Sequence, residues 1–116
     1  MNWYITKVIF KIVCGEGNHT AQFDEQLRLF KANSSEEAFL KAQILGSREE
    51  DVFYNHQQEL VKWQFINVSD VIQIPAIDDG VMLFSFTAEK ENGIMYEQLI
   101  RDKALQIETG YLTETA

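Results

Sequence analysis

The order of hydropathy patterns along the 116 residues predicts an α+β fold, a mainly antiparallel sheet with two helices in the order β-β-α-β-β-α. Three observations carry this reading. Residues 3–13 and 23–31 alternate around a loop of turn formers, and Ser34 opens a capped amphipathic run. Two further apolar runs, 60–74 and 81–87, then precede a last amphipathic run that starts near Met95.

In the first run Tyr4, Thr6, Val8, Phe10 and Ile12 share one parity and are expected to meet the core. The other parity, Trp3, Ile5, Lys7, Ile9 and Lys11, is half polar, so Trp3, Ile5 and Ile9 are expected to be covered by another element or another subunit. Gly15, Gly17 and Asn18 mark a hairpin turn. The return strand places Phe23, Glu25, Leu27 and Leu29 on one face, read as the core face, with Asp24, Gln26 and Arg28 on the other. Glu25 is then a carboxylate among three large apolar neighbours and needs either the sheet margin or a specific partner, such as Lys7, Lys11 or Arg28.

The sequence Ser34-Ser35-Glu36-Glu37 fits a capping box, with Ser34 accepting from the Glu37 amide and the Glu37 carboxylate reaching back to the Ser34 amide. Ala38, Phe39, Ala42 and Leu45 recur at helical spacing. Gly46 is a possible stop, but acceptable spacing continues, and the helix is expected to reach about Phe53. A polar turn at 55–58 leads to the long run 60–74, where the switch of parity between Phe65 and Val68 predicts a bulge near Ile66. Pro75 and the Asp78-Asp79-Gly80 turn separate it from 81–87, with Met82, Phe84 and Phe86 as the expected core face. Asn92 caps a second helix through Met95, Tyr96, Leu99, Ile100, Lys103 and Ile107, which Gly110 is expected to end. These elements predict one domain over residues 1–110 and a flexible tail over 111–116.

Composition narrows the function classes. The net charge of −8, with no run of basic residues, disfavours nucleic acid and anionic membrane surfaces. A lone Cys14 and a start without a basic and apolar leader lead to the expectation of a cytoplasmic protein. Phosphate-loop, dinucleotide, zinc-protease and serine-hydrolase motifs are absent, and His19 and His56 have no acidic partner at ligand spacing, so no cofactor and no metal are expected. The side chains that remain as candidates are Asp24, Glu25 and Gln26 on the second strand, His19 and His56 in turns, and Trp63 among alternating aromatics able to line a pocket.

The segments Asn2-Trp3-Tyr4, Phe23-Asp24-Glu25-Gln26-Leu27, Ser34-Ser35-Glu36-Glu37-Ala38 and Val61-Lys62-Trp63-Gln64-Phe65, taken together, resemble a family of small bacterial proteins that share a domain of unknown function. The likeness runs over residues 3–74, with Asp24 standing where the pattern has a glutamate. It implies the α+β fold and draws attention to Asp24, Glu25 and Gln26, and it implies no reaction. A weaker likeness of residues 38–48 to small ribosome-associated α+β domains carries no function, and the acidic charge argues against RNA.

The leading expectation is therefore a non-enzymatic interaction or regulatory module, self-associating through Trp3, Ile5 and Ile9. Two alternatives stand beside it. One is an acidic inhibitor or immunity-type protein that binds a basic partner. The other is an enzyme or small-ligand binder centred on Glu25, with Asp24, His19 and His56.

Overall fold

A computed structural model describes residues 1–114. Four strands and two helices follow in the order β1 (Asn2–Cys14), β2 (Gln22–Ala32), α1 (Ser35–Arg48), β3 (Asp51–Tyr54), β4 (Leu60–Ile74) and α2 (Gly93–Glu114). The strands form one antiparallel sheet in the spatial order β2-β1-β4-β3. The expected α+β class and element order are both present. β1 carries apolar residues on both its faces, which suits its place between two neighbours.

The identity of two elements differs from expectation. The first helix stops at Arg48, where the Glu49 amide still closes on the Leu45 carbonyl, and the β-prone stretch Asp51–Tyr54 pairs with Leu60 to Trp63 as a hairpin. Asn55 Oδ1 accepts from the Gln57 and Glu59 amides, and Gln58 takes φ 64°, which makes this turn tight enough to set the register. Residues 81–87 alternate but form no strand. Alternation supplies faces, whereas a strand also needs a ladder partner, and among the described residues 81–87 join no strand of the sheet.

α1 lies on one side of the sheet. Its buried stripe is Ala38, Ala42 and Gly46, all small, so the helix backbone approaches Tyr4, Val8, Phe10, Ala32 and Phe65 closely. Phe39 and Leu45, expected in that stripe, are half-buried at its flanks. Beneath the helix the core joins Tyr4, Ala32 and Ala38 at one end to Val8, Phe10 and Ala42 at the other, with Phe30 touching both groups. Thr6 is the buried polar side chain of the core, and its hydroxyl donates to the Arg28 carbonyl at 3.2 Å.

The expected bulge near Ile66 is present, together with a second. The β1–β4 register shifts between Ile9 and Phe10 and between Lys7 and Val8, leaving Ile66 and Ser69 without opposite residues. These two insertions keep Trp63, Phe65, Val68 and Val71 on the helix side of a strand whose strict alternation would have turned half of them away.

The faces of β2 are the reverse of those expected. Tyr4 pairs with Phe30, Val8 with Gln26 and Phe10 with Asp24, so the even residues of β2 share the helix side, while Phe23, Glu25, Leu27 and Leu29 point to the opposite side. The cause lies at the strand's end. Ala32 sits wholly buried against Ala38, which commits the even parity of β2 to the helix side however apolar the odd parity is.

The helix start departs from the expected box by one residue. Ser34 Oγ accepts from the Glu37 amide at 3.1 Å, but the Glu37 carboxylate accepts from the Asn33 amide at 3.0 Å rather than from Ser34, and Lys41 lies 3.4 Å from it. The Asn33 amide, aided by Lys41, holds the Glu37 carboxyl below the ordinary glutamate range. A carboxyl depressed by folding stabilises the fold at neutral pH, and that contribution is lost as pH falls through its folded value. Urea titrations carried from neutral into acid conditions are therefore expected to show a shallower fall in midpoint for Glu37→Gln than for the parent chain, and equal slopes would contradict this account.

The described chain divides into two compact units, Met1–Phe84 and the residues from Ser85 onward. In the second, Asn92 Oδ1 accepts from the Met95 amide at 3.0 Å, the expected cap, and the helix continues through Gly110 to Glu114. Residues 111–114 thus belong to α2, and 115–116 lie outside the described residues. Tyr96, Leu99, Ile100, Lys103 and Ile107 share one face of it, and the four apolar members are all exposed.

Candidate functional site

The side of the sheet away from α1 carries Trp3, Ile5, Lys7, Ile9 and Lys11 from β1, Phe23, Glu25, Leu27, Leu29 and Lys31 from β2, and Ile72 and Ile74 from β4. Phe23, Leu27 and Leu29 are 54%, 59% and 49% exposed. Scattered single apolar residues are ordinary on a surface, but three on alternate positions of one strand, beside Trp3 and Ile9, make a contiguous patch. All three residues expected to form an interface lie here. Trp3 and Ile9 are half-buried, with Lys31 Nζ 5.6 Å from the centroid of the Trp3 ring. Ile5 is buried at the floor of a groove of about 270 Å³, walled by Leu27, Leu29, Ile74, Ile77 and Leu83.

Glu25 stands on this open face, 3.2 Å from Lys7 Nζ, with its side chain 58% exposed. The expectation of a carboxylate set among core residues is corrected by the reversal of β2: its apolar neighbours are themselves at the surface. An exposed pair of this kind contributes about 0–1 kcal/mol.

Charge singles out the same face. Its strand residues include Lys7, Lys11, Lys31 and Lys62, four of the chain's 10 basic side chains, against Glu25 and Asp70, two of its 18 acidic ones. A protein of net charge −8 therefore presents one apolar surface with a basic balance.

The helix side holds Asp24, Gln26 and Trp63. Asp24 Oδ2 accepts from Gln26 Nε2 at 2.7 Å, Gln26 Oε1 accepts from Arg28 Nη1 at 2.9 Å, and Arg28 donates to both Glu49 oxygens at 2.8 and 3.0 Å. This chain of bonds ties β2 to the end of α1. Because α1 stops at Arg48, it leaves a cleft of about 550 Å³ between its last turn and the sheet, floored by Phe10, Trp63 and Phe53 and rimmed by Gln26, Arg48, Glu49, Glu50 and Asp51. Glu50 Oε2 there accepts from the Phe65 amide at 3.0 Å. The lining offers carboxylates, the Arg48 guanidinium, the Gln26 amide and ring faces.

From sequence Arg28 is named only as a possible partner of Glu25, and Glu49 and Glu50 are given no role; that Arg28 shares parity with Asp24 and Gln26 is a usable signal.

The two histidines occupy the two hairpin turns. His19 Nε2 accepts from the Cys14 amide at 3.0 Å while Nδ1 lies 2.8 Å from the Thr20 carbonyl, so the network assigns the proton to Nδ1 and leaves neither nitrogen free. His56 is exposed in the β3–β4 turn. The structure thus groups Asp24, Gln26 and Trp63, sends Glu25 to the opposite face, and keeps His19 and His56 in the turns.

The chain belongs to the family described as Domain of unknown function (DUF4288), whose model matches residues 3–85. The match ends at the boundary of the first compact unit, so the sheet, α1 and the stretch up to Ser85 are the family's part and α2 lies outside it. No curated protein and no solved structure matches the chain.

Proposed function

We propose that this member of the family is a non-enzymatic, cytoplasmic interaction module that associates with a second copy of itself through the open face of its sheet. The observation that carries the reading is the exposure of Phe23, Leu27 and Leu29 on the side that α1 leaves bare. Burying such side chains stabilises by about 1.5–3 kcal/mol each, so a covered face is strongly favoured over a wet one. The occupant must be apolar and acidic to complement Lys7, Lys11, Lys31 and Lys62, and a second copy of a chain of net charge −8 meets the electrostatic half of that requirement. The single Cys14 is free, which suits a reducing compartment.

Sedimentation velocity across a wide concentration range tests this. The parent chain is expected to dimerise, and Leu27→Lys to weaken the dimer by at least about tenfold while keeping the far-UV spectrum of the fold. Leu40→Lys, on the exposed side of α1, should leave association unchanged. A parent chain that stays monomeric at the highest concentration would overturn the reading.

A further inference from the structure

Resting on that reading, we propose that the element which covers the open face is α2 of the second copy, each chain lending its last helix to the other's sheet.

The chain carries two large unburied apolar surfaces of different shape. One is the part of the sheet face around Phe23, Leu27 and Leu29. The other is the helix stripe Tyr96, Leu99, Ile100 and Ile107, exposed throughout its length. A soluble chain gains most by burying each against the other, because a helix stripe laid on a sheet face is a standard layer pairing that either surface alone cannot make. The dimensions agree: the 22 residues of α2 extend about 33 Å at the α-helical rise, and the 11 residues of β2 about 36 Å.

Charge agrees as well: α2 carries Glu97, Asp102 and Glu108 against Arg101 and Lys103, an acidic balance opposite to that of the lysine-bearing sheet face. The family boundary points the same way. The sheet with its bare face is the shared unit, and α2 is what this chain adds after it. A reciprocal exchange places two identical helix-on-sheet contacts about one twofold axis, so the assembly closes as a dimer rather than growing into a filament.

The test uses two full-length variants, Leu27→Asp on the sheet face and Ile100→Asp on the stripe, examined alone and as an equimolar mixture by sedimentation velocity. Circular dichroism confirms that each remains folded. Each variant alone is expected to lose dimerisation by at least about tenfold. Mixing restores a heterodimer, because Ile100→Asp contributes an intact sheet face and Leu27→Asp an intact helix; with one good contact instead of two, it is weaker than the parent dimer.

If Ile100→Asp dimerises like the parent while Leu27→Asp does not, the sheets pair with each other: self-association through the open face stands and the role of α2 falls. If the two variants are both monomeric and the mixture stays monomeric, the helix-on-sheet exchange is likewise overturned. A Leu27→Asp variant that dimerises as well as the parent removes both readings.

Discussion

Phe10→Ala is expected to lower the unfolding free energy by about 3–5 kcal/mol, the range for removing a fully buried aromatic side chain. Phe10 is 1% exposed on the central strand, with ring centroids 6.1 Å from Trp63 and 5.9 Å from Phe65 at tilts of 55° and 58°. The tilted contacts add to the area buried, and the ring also forms part of the floor of the helix-side cleft. Collapse around the cavity is restricted because β2 and β4 are hydrogen-bonded on either side of β1. Urea unfolding followed by Trp63 and Trp3 fluorescence measures the loss. A destabilisation below about 1 kcal/mol would mean that this cluster is not the centre of the core.

Gly46→Ala is expected to destabilise although it replaces glycine within a helix. Helix propensity alone favours the alanine by about 1 kcal/mol. Here, however, a Cβ would overlap the edge of the Phe65 ring, which sits on a strand paired within the sheet. Overpacking of this kind typically costs about 1–3 kcal/mol, and the severity of the overlap places the cost at the upper end, so the net loss is expected at about 1–2 kcal/mol. Combining Gly46→Ala with Phe65→Leu should recover part of the loss, the two changes being non-additive because they share one contact. A Gly46→Ala chain more stable than the parent would show that α1 does not cross β4 at this point.

The same glycine illustrates what local reading misses. In sequence Gly46 offers a helix stop that the continuing spacing overrides; in the fold it is a close approach of helix to sheet, and the helix ends two residues further on. The core face of the first strand was legible, since Tyr4, Val8 and Phe10 are buried as their parity suggests. So were the Ser34 cap, the Asn92 cap and the bulge at Ile66, each of which depends on residues adjacent in the chain. β3 was not: four residues are too few to establish a period, and they follow charged residues that keep helical spacing.

For the functional residues the division is similar. Trp3, Ile5 and Ile9 were identified as a face in need of cover; they lie on the side of the sheet away from α1, where Ile5 is already buried beside Ile77 and Leu83. Glu25 was singled out for the wrong environment. Asp24 bonds Gln26 directly, and Gln26 and Trp63 line one cleft with Glu49, which Arg28 reaches across 21 positions in a meeting that no local pattern announces.

By itself the amino-acid order determined the class of fold, the order of element types and the two parities of β1 and β2, because periodicity and capping arise from interactions between near neighbours. Which parity of β2 faces the helix, where α1 ends and which apolar residues are left for a partner were decided only by the tertiary structure. Those choices depend on Ala32 packing beneath Ala38 and on Phe65 lying beneath Gly46, contacts that exist only when distant segments compete for the same space.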